Sequence, residues 1–212
     1  MDAAVGLVQA YLHVNGYFTV AEYPVLAALR DGGAATVTDI DILAYRFAGA
    51  GHDVVSTGGH RRLPGSGLDV DPALGGEPGR PDMIVGEVKQ GTARLNPPLR
   101  RPDVLGVALT RFGCCPAEHA PALVRQLLAR GRAMTPAGHA IRMVAFGGDG
   151  TGSGAGPCTI VHMGHVVRYL QGYLREHWSV LQQAQLRDPA FDILALLQKW
   201  GVEPGPEAAE QA

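Results

Sequence analysis

Lysine is the scarcest charged residue in this chain. Of the 18 basic residues only two are lysine, Lys89 and Lys199, and the other 16 are arginine. Lysine is a compact charge whose pKa can be shifted, whereas arginine is a broad fork that stays protonated. The two positions that carry lysine therefore draw attention.

Other features are also scarce or absent, and each absence excludes a class of protein. Three cysteines are too few for a disulfide framework, so we expect a reducing compartment. No apolar run approaches the roughly 18–20 residues of a membrane span, and no basic start leads into an apolar signal segment. These absences predict a cytoplasmic protein without a membrane partner. Aromatic residues form only 6% of the chain and show no pattern of a stacking platform.

The formal net charge of −2 conceals a basic centre. Between Arg80 and Arg142, ten basic residues accompany four acidic ones, so this stretch carries +6 and the rest of the chain carries −8. Both a solvated helical surface and an anion-binding face are compatible with such a stretch.

The order of hydrophobic patterns predicts an α/β fold with a central mixed β-sheet flanked by helices. We expect one domain over residues 1–200, with C-terminal helices over 164–200 and a disordered tail over 201–212. Residues 48–80 contain nine of the 29 glycines and predict a long loop insertion. Helices are predicted over 3–14, 102–112, 116–130, 165–185 and 189–200, and strands over 17–26, 36–47, 83–90, 141–146 and 158–163. The first two strands suit an antiparallel hairpin, and the glycine-rich segment 147–156 suits a hairpin tip.

Charged residues interrupt two of these apolar strands. Asp39 and Asp41 lie in the second predicted strand, and Glu87 and Lys89 lie in the third. Side chains alternate along a strand, so residues two positions apart share a face. Charges in buried strands are costly unless they are paired or bind a metal. If the two strands are neighbours, a carboxylate from each meets beside a lysine.

This combination of side chains has a chemical use. Two carboxylates supply the hard oxygen ligands that Mg²⁺ prefers. A bound metal lowers the pKa of a water molecule and offsets negative charge on a phosphoryl transition state. An adjacent lysine can orient the attacking water as an ammonium or deprotonate it as a neutral amine, and a permanently protonated arginine cannot do the second. One of the two lysines therefore lies where this chemistry needs a lysine.

The succession of helix, strand, Asp41-bearing strand, Glu87-Val88-Lys89 strand and helix resembles the PD-(D/E)XK nuclease superfamily. The resemblance covers roughly residues 3–146 and implies that the single domain over 1–200 has a restriction-endonuclease-like core. It implies a metal-dependent nuclease, a phosphodiester hydrolase of the endonuclease kind that cleaves DNA or RNA. In this resemblance Asp41 and Glu87 bind Mg²⁺ or Mn²⁺, and Lys89 positions the water.

The match to the superfamily has departures. Ile40 stands where the family has a proline, and the 46-residue separation of Asp41 and Glu87 requires residues 48–80 to be an insertion. Many relatives carry an acidic residue on the first helix, where this chain offers only Asp2 and Gln9.

Further residues are candidates for binding or accessory roles. Arg94, Arg100 and Arg101 follow the third predicted strand and could clamp phosphates. Asp39, Gln90 and Gln9 are accessory candidates. The expected partner is nucleic acid, DNA rather than RNA, and the resemblance implies a homodimer for cutting two strands.

Two alternatives to catalysis remain open at the level of sequence. The domain could have lost catalysis and serve as a binding or assembly module, in keeping with the missing acidic residue and the long insertion. Glu87 and Lys89 could also form a simple edge-strand ion pair, with Asp41 solvated.

Two motifs in the chain resemble functional ones without fitting them. Pro81-Asp82 spells the family's dipeptide, but its odd offset from Glu87 predicts the opposite face and a strand-entry role. The segment 147–156 lacks the Gly-Lys-Ser/Thr ending of a phosphate-binding loop.

Overall fold

A six-stranded mixed sheet with helices on both faces forms the centre of the described structure. The computed structural model describes residues 2–50, 54–56, 59–61, 70–77, 79–148, 156–181 and 188–202. Its helices are α1 (Ala3–Val14), α2 (Pro102–Phe112), α3 (Ala120–Arg130), α4 (Met163–Glu176), α5 (Trp178–Leu181) and α6 (Pro189–Lys199). Its strands are β1 (Phe18–Ala28), β2 (Ala34–Arg46), β3 (Val54–Ser56), β4 (Gly59–Arg61), β5 (Asp82–Thr92), β6 (Arg132–Met134), β7 (Ala140–Gly148) and β8 (Thr159–His162).

The strand order in the sheet is β1-β2-β5-β7-β6, and β8 also pairs with β7. The β1–β2, β2–β5 and β6–β7 pairs are antiparallel, whereas β5–β7 and β7–β8 are parallel. The predicted α/β class with a central mixed sheet is therefore confirmed. The predicted hairpin of the first two strands is also confirmed, and it places β2 directly beside β5.

Several predicted elements differ from those observed. The third helix begins at Ala120 rather than at 116, because Pro116 and His119 are joined in a turn by a 3.0 Å backbone hydrogen bond. The three-residue strand β6 is too short to leave a hydrophobic pattern. The predicted hairpin tip over 147–156 is wrong, because β7 and β8 run parallel.

Parts of four predicted segments lie outside the described residues: the loop 48–80, the segment 147–156, the helix 165–185 and the tail 201–212. Within the predicted loop 48–80, the described part contains the small β3–β4 ladder and a 3₁₀ turn at Pro72–Leu74. The predicted tail over 201–212 lies outside the described residues from position 203 onward.

Two apolar cores cover the sheet, one on each face. Ile42, Ile84 and Phe146 pack with α1, α4 and α6, whereas Leu43 and Val85 pack with α2 and α3. Because β5 is buried on both faces, its sequence is a continuous apolar run rather than an alternating one. A charge in the middle of β5 is therefore held inside the protein and not at a solvated edge.

Asp82 anchors the start of β5 through a buried ion pair. Its carboxylate is fully buried and accepts hydrogen bonds from Arg142 Nε at 2.9 Å and Nη2 at 2.5 Å. The hydroxyl of Tyr17 donates to the same carboxylate at 2.5 Å. Pro81-Asp82 thus has a structural partner of opposite charge, in keeping with the strand-entry role.

Asp71 joins α1 and α4 to the segment that follows residue 69. The hydroxyl of Tyr11 donates to its carboxylate at 2.6 Å, and His165 Nε2 lies 2.5 Å from the same oxygen. Burial favours the neutral acid, but these hydrogen bonds outweigh it and hold the pKa of Asp71 below its usual value. His165 therefore has a structural partner.

Gly147 of β7 allows the chain after Lys89 to approach the sheet closely. A Cβ atom at this position would lie 2.7 Å from the backbone of Ala93 and 2.8 Å from the carbonyl oxygen of Gly91. Only glycine permits this contact without displacing the backbone.

We expect Gly147→Ala to lower the free energy of unfolding by about 1–3 kcal/mol, the usual cost of overpacking. Gly106→Ala in α2 is the control, since nothing lies within 4 Å of its added methyl, and we expect it to stabilise by about 0.5–1 kcal/mol. Urea unfolding measures both. Equal stability of the two variants would contradict the close approach.

Candidate active site

The ladder between β2 and β5 ends at the predicted acidic residues. Its last pair is Ile42 with Gly86, so Asp41 and Glu87 occupy the next position on each strand. There the Asp41 side chain accepts a 2.8 Å hydrogen bond from the backbone N–H of Val88. Just beyond the last paired residues, the Asp41 carboxylate therefore replaces a backbone carbonyl as the acceptor for β5. As predicted, β2 and β5 are neighbours at this point.

The backbone of β1 is irregular opposite Asp41. Ala21 pairs with Ile42 and Tyr23 with Ile40, which places Glu22 across from Asp41. Glu22 has φ of +51°, a left-handed conformation that is uncommon for a residue with a side chain. Consistent with this irregularity, Ile40 and Ile42 pack into different cores although they lie two positions apart.

A bulge displaces β5 directly after Glu87. From Asp82 to Val88 each residue pairs with the β7 residue 58 positions later, but Thr92 pairs with Gly148, 56 positions later. Two extra residues of β5 are therefore accommodated between Val88 and Thr92, where Lys89 lies. Bulges re-aim side chains and are common beside active sites.

Glu87 is buried with one oxygen paired and the other free of partners. Its side chain is 1% exposed, and Oε1 accepts a hydrogen bond from Lys89 Nζ. Oε2 is buried and has no hydrogen-bond partner in the described part of the chain. Burial raises the pKa of Glu87 to about 7, and the charge of Asp41 adds to the rise, whereas Lys89 and, more weakly, the backbone N–H of Asn96 oppose it. The Asn96 N–H does not reach hydrogen-bond geometry on Oε2.

Asp41 is half-buried and has a similar electrostatic environment. Burial raises its pKa, the Val88 N–H and the charge of Lys89 oppose the rise, and the charges of Asp2 and Asp39 add to it. The structure therefore brings Asp41, Glu87 and Lys89 together, as the sequence pattern predicts. Asp39 is exposed at the margin of this group.

The carboxylate pair fits a divalent cation. The unpartnered Oε2 of Glu87 is an oxygen acceptor without a donor, and carboxylate oxygens are the ligands that Mg²⁺ and Mn²⁺ take in proteins. No cluster of three or more His, Cys, Asp or Glu side chains suited to a metal occurs within the described ranges. The candidate site thus has two acidic side chains, with Lys89 at its partly exposed edge.

Asp2 provides a third negative charge near the site. It caps α1 by accepting a 2.9 Å hydrogen bond from Ala4 N–H, and it accepts another from Gln90 Nε2 at 3.0 Å. Sequence reasoning counted Asp2 only as a residue of the first helix. Its position before an apolar helix is an N-cap signal, which would have identified that role. Gln9 donates its amide to Thr19 Oγ1 at 3.2 Å and is engaged there.

The three candidate phosphate-binding arginines lie in different surroundings. Arg101 donates two hydrogen bonds to the Asp103 carboxylate, from Nε at 3.1 Å and from Nη2 at 2.5 Å. Arg100 lies beside Gly156, where a Cβ atom would be 2.9 Å from its Nη2. Arg94 is exposed, and the described residues give it no hydrogen bond or ion pair. Of the three, Arg94 is the most available for a phosphate.

Comparison with known proteins adds no relative. The chain matches no protein-family model, no curated protein and no solved structure. No helix in the described part is long and apolar enough to cross a bilayer. The functional argument therefore depends on the geometry around Glu87.

The raised pKa of Glu87 predicts a pH-dependent effect of Glu87→Gln on stability. Between pH 4.5 and about 7 the folded protein keeps a proton on Glu87 that the unfolded chain has released. The free energy of unfolding therefore falls as pH rises through this window. The glutamine variant has no such proton to release. In the absence of metal, its free energy of unfolding relative to that of the parent should therefore be about 3 kcal/mol higher at pH 8 than at pH 4.

Urea unfolding at the two pH values measures this difference. Glu118→Gln, at an exposed position, is the matched control and should show no comparable change. A Glu87→Gln effect that is the same at both pH values would show that Glu87 is ionised at little cost.

Proposed function

We propose that this chain is a metal-dependent phosphodiesterase that cleaves nucleic acid, a nuclease of the PD-(D/E)XK kind. The observation that supports the proposal most strongly is the state of Glu87. A buried carboxylate oxygen without a partner costs free energy, which a merely structural ion pair would avoid. A functional site that binds a cation on that oxygen accounts for the cost.

Each residue of the group has a definite role in this proposal. Asp41 and Glu87 hold Mg²⁺ or Mn²⁺, which when bound supplies an acidified water and offsets charge on the phosphate. The Val88 N–H fixes one oxygen of Asp41 and so orients the other. Lys89, anchored on Glu87 Oε1 and partly exposed, orients a water by hydrogen bonding at the edge of the site.

Nucleic acid is the substrate class that the charge distribution favours. The stretch from Arg80 to Arg142 carries +6, and it contains Glu87 and Lys89 as well as the exposed Arg94. Arg142 of this stretch is buried on Asp82 and Arg101 is paired with Asp103, so the exposed Arg94 is the charge best able to attract a polyanion and bind its phosphates. DNA is the first substrate to test, with RNA beside it, and a homodimer would allow both strands of a duplex to be cut.

The direct test is incubation with linear, circular and single-stranded DNA and with RNA, in Mg²⁺ or Mn²⁺. We expect cleavage to fall by at least about 100-fold in Lys89→Ala, the usual loss for one preorganised hydrogen-bond donor, and at least as far in Glu87→Ala, which removes a metal ligand. Lys89→Arg should also be strongly impaired, because a broad planar guanidinium cannot take the place of the compact ammonium that contacts both Glu87 and the water. Lys199→Arg, the same change at the only other lysine, should cleave normally.

Two results would contradict the proposal. Cleavage that is unchanged in Glu87→Ala and Lys89→Ala would place the activity elsewhere. If the wild-type chain cleaves nothing but binds nucleic acid, the alternative of a catalytically inactive binding or assembly module replaces the nuclease.

A further inference from the structure

Three of the five phenylalanines line one open groove, two of them largely exposed and the third, Phe112, partly buried against the core on the α2–α3 face. Phe18 of β1 is 68% exposed, Phe47 directly after β2 is 57% exposed, and Phe112 is the last residue of α2. The other two, Phe146 and Phe191, are buried. Large exposed apolar groups that cluster, rather than occur singly, mark a binding surface.

The rings in this aromatic groove contact one another edge to face. Tyr45 is paired with Phe18 across the β1–β2 ladder. Tyr45 and Phe47 have ring centroids 4.7 Å apart at 88°, and Phe18 and Phe47 have centroids 6.2 Å apart at 83°. In such a contact the edge of one ring covers part of one face of the other, and Phe18 and Phe47 still keep more than half of their surface exposed. The groove has a volume of about 440 Å³, within the range of ligand clefts.

The charge of the groove identifies the kind of ligand. Among the described residues its lining includes Arg111 and His139 and no carboxylate. A second copy of this chain seated groove to groove would add a second Arg111 to the contact and no described carboxylate to offset it. A ligand with flat π faces and negative charges matches both the rings and the arginine, and a single-stranded nucleic acid has both features.

We propose that the aromatic groove binds single-stranded nucleic acid, with bases stacking on Phe18 and Phe47 and a phosphate paired with Arg111. Aromatic side chains on a sheet surface bind unpaired bases because every base presents a π face. Base pairs in a duplex are already stacked on one another, so the groove selects unpaired strands.

The groove lies on the same two strands as the candidate active site. Tyr45 follows Asp41 by four residues in β2, and Met83, which lines the groove, precedes Glu87 by four residues in β5. Four residues of a strand span about 13 Å, and Met83 and Glu87 share a face because β5 pairs regularly from Asp82 to Val88. The inference rests on the proposed function for the identity of the ligand and adds a strand-binding surface to it.

The test measures binding to fluorescein-labelled oligo(dT) and oligo(rU) of about 15 nucleotides by fluorescence anisotropy, in EDTA so that no cleavage occurs. We expect one or both strands to bind more tightly than a duplex. Phe47→Leu should weaken binding by about 5- to 150-fold, the loss expected for one stacked ring. Phe47→Tyr keeps the ring and should bind as the parent does.

Two further variants separate stacking from general surface effects. Leu26→Ala removes a 58% exposed side chain of β1, the strand that also carries Phe18. Leu26 lies outside the groove, so this variant should leave the affinity unchanged. Arg111→Gln should weaken binding and reduce its dependence on salt concentration, because one phosphate contact is lost.

Three outcomes would overturn the inference. These are an absence of strand binding, strand binding that Phe47→Leu leaves intact, and a dimer that Phe47→Leu dissociates in sedimentation analysis. The last would assign the groove to a second copy of the chain. Phe47-dependent binding without cleavage in Mg²⁺ would refute only the nuclease, whereas cleavage without Phe47-dependent binding would refute only this inference.

Discussion

A buried carboxylate that is only half satisfied is the feature around which the candidate site is built. Glu87 lies inside a two-sided core with Lys89 on one oxygen and no described partner on the other. The protein interior penalises such a group, and Asp41 nearby adds like-charge repulsion to the penalty. The fold tolerates this arrangement because the apolar layers on either face of the sheet fix β5 firmly.

Three local departures from regular sheet geometry surround this group. The β2–β5 ladder stops one residue short of the carboxylates, and β5 bulges at Lys89. Across from Asp41, Glu22 adopts a left-handed backbone conformation. A regular sheet would pair these positions through the backbone, so strain here trades sheet regularity for the placement of three charged side chains.

The sequence predicted the parts of this structure that depend on periodicity. The alternation in β1 and β2 and the buried run in β5 identify the sheet, and charges within apolar strands identify Asp41, Glu87 and Lys89. Charge within a buried strand is a strong signal because burial of an unpaired ion is so costly. That signal is local in the sequence, so it can be recognised without knowledge of the tertiary structure.

Features that depend on tertiary contacts could not be predicted in this way. The parallel pairing of β8 with β7 follows from long-range packing, so a glycine-rich segment looked like a hairpin tip. The proximity of Asp2 to Asp41 depends on how α1 packs on the sheet. The aromatic groove joins β1, the end of β2 and the end of α2, which are far apart in sequence. No count of aromatic residues reveals such a convergence.

The central claim is that Asp41 and Glu87 form one cation site, and a crystal soaked in Mn²⁺ tests it most directly. The account predicts an anomalous difference peak about 2.1 Å from an oxygen of each carboxylate. The peak should be lost in Glu87→Gln crystals. An ordered Asp41 and Glu87 with no peak between them in saturating Mn²⁺ would contradict the account.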